Sequence, residues 1–144
     1  MIKLVEILSQ LKELANYQFK QEDVDYDEMD NSLLSVTYTF NTQSNPYRVV
    51  FHSGEHRPED MKFELSFGID KGEGYSLDTQ QMTGEQNVRM MINTIAQITQ
   101  DFLQKFPQVN KVIIDGTDDK RTRVYKALFP KYLSPSVTAK VDIL

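Results

Sequence analysis

Apolar residues along this chain recur with two different periods. Over residues 2–15 they recur every three or four positions, which is typical of one face of an amphipathic helix. At 32–40, 47–52 and 61–69, β-branched and aromatic residues alternate with polar ones, and this alternation predicts strands with one buried face. The first two strands are separated by NTQSNP, a segment rich in turn formers, so they should pair as a hairpin.

The second half of the chain changes to the helical period. Apolar residues at helical spacing predict a helix over 86–106, which Pro107 ends. A long glycine-containing connection precedes this helix, with room for a short strand around 75–77. The segment KVIID at 111–115 is nearly all apolar, as expected of a short strand buried between parallel neighbours.

The C-terminal segment is predicted to hold one more helix and one more strand. Thr117 or Asp118 can cap the helix, because either side chain can accept a hydrogen bond from a free amide of the first turn. Pro130 should stop the helix, since proline has no amide hydrogen to donate. The segment SVTAKVDIL at 136–144 is expected to close the chain as a strand.

This order of elements predicts an α+β fold. It comprises an N-terminal helix, a mixed and mainly antiparallel sheet, and a C-terminal β-α-β-α-β unit. The length of 144 residues fits a single domain, with the helix and hairpin in 1–60 and the β-α-β-α-β half in 61–144. The strand-helix-strand connection should be right-handed, which places the long helix on one face of the sheet.

The composition narrows the possible chemistry. The chain has no cysteine, which excludes disulfides, a thiolate nucleophile and a cysteine-type zinc site. We expect a cytoplasmic protein, because no apolar run approaches the roughly 18 residues of a membrane span and no signal-peptide cleavage site follows the first helix. The net charge of -5 argues against unspecific nucleic-acid binding as the main task.

Charge is spread unevenly along the chain. Residues 21–30 contain six carboxylates, whereas 120–131 contain five cations and no carboxylate. The acidic segment is interpreted as a solvated loop, or as a strand edge that its charge keeps from aggregating.

Neither the acidic segment nor the histidines predict a metal site. The acidic segment opens like a calcium loop, but Glu28 stands at the position of the turn glycine and Leu34 at that of the bidentate glutamate. His52 and His56 flank Gly54 in what should be a turn, with no third ligand nearby in sequence. Either histidine could still serve as a general base near neutral pH.

Residues 81–86, QMTGEQ, lie between strand and long helix, where they resemble the Gln/Arg-x-x-Gly-x-Gly/Ala loop of GNAT-type N-acetyltransferases. Gln81 and Gly84 match that motif, and the order of elements is similar to the GNAT fold. The resemblance implies that backbone amides of this loop hold the pyrophosphate of acetyl-CoA. Gln86 departs from the motif, because the family has a small residue there that lets phosphate approach the helix N-terminus.

The following helix carries part of a second GNAT motif. Asp118 and Tyr125 have the spacing of an Asn and a Tyr in that family, whose tyrosine can protonate the departing CoA thiolate. Phe129 and Pro130 replace the Gly-Phe that follows in the family.

The region 61–132 also resembles small uncharacterised phage-encoded proteins of GNAT-like appearance. In these proteins a Thr-Gly-x-x-Asn motif, a helix and a short apolar strand precede an Arg-x-Lys/Arg-Leu-Tyr motif. The resemblance implies a phage or phage-derived origin. The positions that fall in the pattern are Thr83, Gly84, Asn87, Thr94, Asp101, Phe102, Arg121, Arg123, Val124 and Tyr125.

The basic segment has two interpretations. Arg121 and Tyr125 lie one helical turn apart and share a face, whereas Arg123 points away from both. In one interpretation Val124 and Leu128 pack inward, the tyrosine lies at the boundary and the cations pair with Asp118, Asp119 or the acidic segment. In the other, Arg121 and the helix N-terminus form a site for a phosphate or an acidic protein surface, since guanidinium groups match oxyanions.

Two functional hypotheses follow. In the first, favoured by the obstructed loop and the polarised charge, the chain is a non-enzymatic, phage-type protein with a GNAT-like scaffold that acts through protein-protein contacts. Its partner would be another copy, a virion protein or a host protein, and it would need no cofactor, membrane or nucleic acid. It would work in the host cytoplasm or in a virion. The contact residues would be Lys120, Arg121, Arg123 and Lys126.

The second hypothesis is an acyl-CoA-dependent N-acetyltransferase. Acetyl-CoA would be held at Gln81 and Gly84, and Tyr125 would be the catalytic general acid. A fold likeness does not by itself confer this chemistry, because function depends on the site.

Overall fold

A computed structural model describes most of the chain beyond its first 14 residues. The described ranges are 15–54, 60–70, 77–78, 88–115 and 119–144, with side chains at all of these positions except 77–78 and 119–121. Nearly all of the predicted N-terminal helix lies outside these ranges, as do His56, Gln81 and Gly84.

Seven strands and three helices lie in the described residues. The strands are β1 (Phe19–Tyr26), β2 (Leu33–Asn41), β3 (Pro46–His52), β4 (Lys62–Asp70), β5 (Leu77–Asp78), β6 (Lys111–Ile114) and β7 (Val141–Ile143). The helices are α1 (Val88–Lys105), α2 (Asp119–Tyr132) and α3 (Pro135–Thr138). The hairpin, the third strand, the long helix and the short apolar strand are confirmed, with boundaries within two residues of those predicted.

The strands form one mixed sheet in the order β1-β2-β3-β4-β6-β7. The first four are antiparallel neighbours, whereas β4, β6 and β7 run parallel. β5 adds a short antiparallel pairing to the end of β4, at Ile69 and Asp70. The predicted α+β class with a mixed, mainly antiparallel sheet is confirmed.

Both main helices cover the same face of the sheet, which we call the helix face. The connections β4-α1-β6 and β6-α2-β7 advance in the same direction across the sheet, so two right-handed crossovers place both helices on one side. Accordingly, the Phe102 ring of α1 stacks on Phe51 at 4.1 Å and meets Phe63 at 5.6 Å. Tyr125 of α2 lies beside Phe67, which is on the same face as Phe63 because strand side chains alternate.

The hydrophobic core lies between the helix face and the helices. In the central strands every second side chain points toward the helices and is buried, as the period of two requires. These strand residues are Val36, Tyr38, Phe40, Tyr47, Val49, Phe51, Phe63 and Leu65. Opposite them, α1 buries Met91, Ile92, Ile95, Ile98 and Phe102. Each fully buried apolar side chain contributes about 1.5–3 kcal/mol, so this layer is the main source of hydrophobic stabilisation.

Two predictions for the C-terminal segment are wrong. α2 does not stop at Pro130 but continues to Tyr132, because proline lacks only its own amide hydrogen and Leu133 still donates to the Phe129 carbonyl at 3.2 Å. The first part of the predicted closing strand is α3, since Pro135 stands at the first helical position, where its fixed φ favours a helix. Only the last residues form β7.

Candidate functional site

The inward side of α2 is anchored on the helix face of the sheet. Tyr125 is only 5% exposed, and its ring lies 6.0 Å from that of Phe67 and 5.7 Å from that of Phe129. The Thr122 hydroxyl donates to the Leu144 carbonyl at 3.0 Å and ties the helix to the chain end. The expectation that Tyr125 lies at the boundary of the core is therefore wrong, because two phenylalanine rings enclose it.

The outward side of α2 presents a row of cations. Arg123, Lys126 and Lys131 are exposed, and the exposed Ala127 and Pro130 lie between them. At 3.6 residues per turn these five positions lie within about 140° of one another, on one side of the helix. We call these five residues the basic stripe.

The other predicted contact and cofactor residues are described less fully. The backbone of Lys120 and Arg121 lies in the first turn of α2, but their side chains are outside the described set, so the anion site built on Arg121 stays a prediction. Gln81 and Gly84 lie outside the described ranges altogether. Of the four predicted contact residues, the structure thus places Arg123 and Lys126 together on one exposed surface.

The acidic segment forms the edge strand of the sheet and the turn after it. Glu22, Asp23 and Asp25 are exposed on β1, and the ladder between β1 and β2 is interrupted between Gln21 and Asp23. Hydrogen bonds from Lys20 and then from Thr39 lower the pKa of Glu22. The segment is a strand edge, one of the two forms predicted for it. Charge and irregular pairing at an edge are devices that oppose unspecific strand addition.

The turn after β1 is held by its own side chains. The Asp27 carboxylate accepts the amides of Met29 at 2.8 Å and Asp30 at 3.3 Å. Asp30 in turn accepts the Ser32 hydroxyl at 2.7 Å and its amide at 3.0 Å, which lowers the pKa of Asp30. This network displays Met29, 98% exposed, at the tip. We call the exposed acidic residues of β1 and this turn, together with Met29, the acidic end: Glu22, Asp23, Asp25, Glu28, Met29 and Asp30.

The acidic end and the basic stripe lie far apart in one molecule. α2 packs on Phe67 of β4 and against β7, three to five strands away from the edge strand β1. At about 4.8 Å per strand this separation is about 14 to 24 Å, well beyond the reach of an ion pair. Of the predicted partners of these cations, the acidic segment of the same molecule is therefore too distant, whereas the side chains of Asp118 and Asp119 lie outside the described residues.

A second feature of the helix face is an interruption beside β4. β4 pairs with β6 from Lys62 to Leu65, and β5 takes over at Ile69. Between these two pairings, residues 66–68 of β4 have no strand partner among the described residues along the edge that faces β6 and β5. Phe67, in the interruption, is the residue that packs against Tyr125.

The opposite face of the sheet carries a histidine beside a serine. His52 Nε2 lies 3.2 Å from the Ser66 hydroxyl and 4.0 Å from a carboxylate oxygen of Glu64. Both contacts involve the same ring nitrogen, so the glutamate does not orient the other nitrogen as a Ser-His-acid triad requires. His52 also lies on the other side of the sheet from Tyr125, and the two cannot act on one substrate. The described residues contain no group of three side chains suited to hold a metal ion.

A polar cavity of about 330 Å³ opens between the start of β1 and α1. It is lined by Asn16, Phe19, Gln97, Gln100, Asp101 and Gln104. Asp101 accepts a hydrogen bond from the buried Tyr38 hydroxyl at 2.7 Å and pairs with Lys105 at 2.9 Å. Burial, followed by the hydrogen bond to Asp101, raises the pKa of Tyr38 far above its ordinary value.

The amides of this cavity are used to hold the fold together. The Ser134 amide donates to Gln100 at 2.7 Å, and Gln100 donates to Gln97 at 3.0 Å. Gln97 then donates to the Asn93 side chain at 3.0 Å and to the Tyr132 carbonyl at 3.2 Å. We call this series the amide ladder. The helical spacing of Asn93, Gln97 and Gln100 predicts that they share one side of α1. The sequence does not predict which backbone groups they bind.

The amide ladder ends on the N-terminal segment. The Asn93 amide donates to the Ala15 carbonyl at 2.9 Å, and the Tyr17 amide donates to the Thr94 hydroxyl at 2.8 Å. Both α1 side chains are buried. Their hydrogen bonds satisfy polar groups that would otherwise destabilise the core.

Comparison with known proteins gives a family. Residues 20–144 match the model of DUF6934, a family of unknown function. The chain belongs to this family. No curated protein and no solved structure matches it. The DUF6934 match begins inside β1 and therefore spans the acidic end, the amide ladder and the basic stripe. No helix among the described residues of this DUF6934 protein is long and apolar enough to cross a membrane.

Proposed function

We propose that this DUF6934 protein acts through protein-protein contacts, with the basic stripe and the acidic end as its contact surfaces. The observation that carries the proposal is the separation of the two surfaces across the sheet, about 14 to 24 Å at the usual strand spacing. Neither surface can neutralise the other within one molecule, and both expose their charged side chains to partners of opposite charge.

The basic stripe is suited to recognition because its geometry is fixed from behind. Tyr125 and Phe129 are buried on the inward side of the same helix, so the outward cations keep their spacing. Complementary charge raises the rate of association and suppresses partners of the wrong sign. Arg123 adds donors that fit carboxylates in a forked geometry.

A GNAT-like scaffold of phage type remains part of the proposal. The antiparallel strands β1–β4, continued by α1, β6, α2 and β7, agree with the order of elements that the resemblance implies. Under this proposal the protein works without a cofactor, in a host cytoplasm or in a virion, and its partner is a protein.

The test is capture of partners by the wild type and by two variants with the same change of charge. Arg123→Glu with Lys126→Glu reverses the stripe, whereas Lys62→Glu with Arg89→Glu reverses two exposed cations elsewhere. We expect a protein from a lysate of the source organism to be retained by the wild type and the control but lost by the stripe variant. Equal retention by all three proteins would contradict the proposal.

The interruption beside β4 favours one alternative, an acyl-CoA-dependent N-acetyltransferase. Phe67 and Tyr125 border the place where β6 has ended and β4 continues, so a ligand inserted there would meet the tyrosine. Acetyl-CoA would be held at Gln81 and Gly84, with Tyr125 as general acid. Since Tyr125 is 5% exposed, this role requires its hydroxyl to open onto the interruption.

Thermal unfolding with acetyl-CoA separates the two functions. A ligand at one hundred times its dissociation constant adds about 2.7 kcal/mol of stability. The protein-contact proposal predicts no shift at millimolar acetyl-CoA. A shift, together with acetyl transfer that Tyr125→Phe abolishes while the shift persists, would establish the enzyme instead.

A further inference from the structure

We infer that the basic stripe binds the acidic end of a second copy of this chain. This inference rests on the proposed function and names its partner. The acidic end offers five exposed carboxylates, and the basic stripe offers three exposed cations on one side of a helix. The carboxylates of one copy can therefore form ion pairs with the cations of another copy. Within one copy the two surfaces are too far apart to form these pairs.

The two surfaces also match in their apolar parts. Met29 is almost fully exposed at the tip of a turn whose backbone is fixed by Asp27. In the basic stripe, Ala127 and Pro130 form a small apolar area between the cations. Methionine is unbranched and adapts to irregular surfaces, so it can cover this area while the carboxylates meet the surrounding cations.

Symmetry decides which assembly results. In a two-fold dimer the contact would form twice between the same two molecules, with the acidic end of each on the basic stripe of the other. Where the contact forms once, the two molecules retain one unused surface of each kind. Such head-to-tail contacts continue into a ring or an open chain.

Sedimentation velocity over a range of protein and salt concentrations tests the contact. We expect the wild type to associate with increasing protein concentration and to dissociate as salt rises, because exposed charges are screened over about 8 Å at physiological ionic strength. Met29→Ala should weaken association, since it removes the apolar contact and leaves every charge in place. A wild type that sediments as a monomer at all concentrations in low salt would overturn the inference.

A charge-reversal pair tests the head-to-tail geometry. Asp23→Lys with Asp25→Lys should block the acidic end, and Arg123→Glu with Lys126→Glu should block the basic stripe. Each variant alone should associate at least about tenfold more weakly than the wild type. Mixed together, they should form a one-to-one dimer and nothing larger, because only one intact surface of each kind remains. The control variant Lys62→Glu with Arg89→Glu should associate like the wild type.

The outcomes separate this inference from the proposed function. If the mixed variants do not pair, or if the control weakens association as much as the stripe variant, self-association through these surfaces is overturned. If the protein is a monomer but the stripe variant still loses a captured protein, the partner is a different protein and the proposed function stands. If neither self-association nor capture depends on the stripe, both are overturned.

Discussion

α2 and β1 both concentrate charge of one sign, but they are attached to the fold in different ways. α2 buries Tyr125 and Phe129 in the core and turns its cations outward. β1 is an edge strand whose inward residues Phe19 and Val24 are only partly buried. The basic stripe is therefore fixed by the core, whereas the acidic end depends on pairing with β2 and on hydrogen bonds within its turn.

The largest expected difference between the two is in the free energy of unfolding. Phe129→Ala should destabilise the protein by about 3–5 kcal/mol, because it leaves a cavity beneath α2. Val24→Ala in β1 should cost about 1 kcal/mol, since the lost methyl groups are partly exposed in the native state. Urea unfolding of both variants measures the difference. Similar losses would show that β1 is as firmly anchored as α2.

Tyr38 connects the acidic edge to the core and should show a smaller effect. Tyr38→Phe removes the donor to Asp101 and should cost about 1–2 kcal/mol at neutral pH. Because the folded-state pKa is raised, the stabilisation is complete below the unfolded pKa of about 10 and is lost as pH rises above it, by at most about 1.4 kcal/mol per pH unit.

Unfolding curves between pH 8 and 11 check the sign of this effect. The wild type should lose stability relative to Tyr38→Phe as pH rises. Comparison with the variant removes the contribution of the other tyrosines. A constant difference across this pH range would contradict the role assigned to burial and to Asp101.

Charge reversal on either surface should change stability least. Arg123→Glu with Lys126→Glu, and Asp23→Lys with Asp25→Lys, should each alter the free energy of unfolding by no more than about 0.5 kcal/mol per substitution, as is usual for exposed positions. The same variants should abolish partner binding. A large loss of stability in either charge-reversal variant would mean that the charges of that surface have a structural role.

The turn of the acidic end permits the most local test. Ser32→Ala removes the hydroxyl that donates to Asp30, so the pKa of Asp30 should rise toward its ordinary value. Because the pKa of Asp30 is lowered in the folded state, its carboxylate stabilises the fold at pH values above the ordinary pKa, and this stabilisation is lost as pH falls. Ser32→Ala should make stability depend less on pH in this range. Carbon-detected NMR titration of the Asp30 carboxyl in the wild type and in Ser32→Ala measures the shift.

The sequence predicts the centre of the sheet better than its edge. Alternation in β2, β3 and β4 is regular because one face of each strand is buried, and it identifies these strands. In β1 the inward positions include Gln21, and the irregular pairing after Gln21 disturbs the alternation, so no strand pattern is visible there. The sequence of the acidic segment therefore indicates no more than a loop or a strand edge.

The sequence predicts the candidate surfaces only in part, because local spacing shows which side chains are exposed but not how far apart the two surfaces lie. The run of cations in α2 is visible in the sequence, and its exposed side follows from helical spacing. The separation between this helix and β1 follows only from the strand order. The burial of Tyr125 depends on Phe67, which is 58 positions earlier in the chain and reaches it only after the sheet has formed.

The amide ladder has a consequence for the segments around Ala15 and Ser134. Asn93, Gln97 and Gln100 join α1 to the Ala15 carbonyl and to the backbone at Tyr132 and Ser134. The three side chains are bonded to one another in series, so they link segments that are more than a hundred positions apart in sequence. In a hydrogen-exchange experiment, replacing Gln97, the middle member, should speed exchange in both segments.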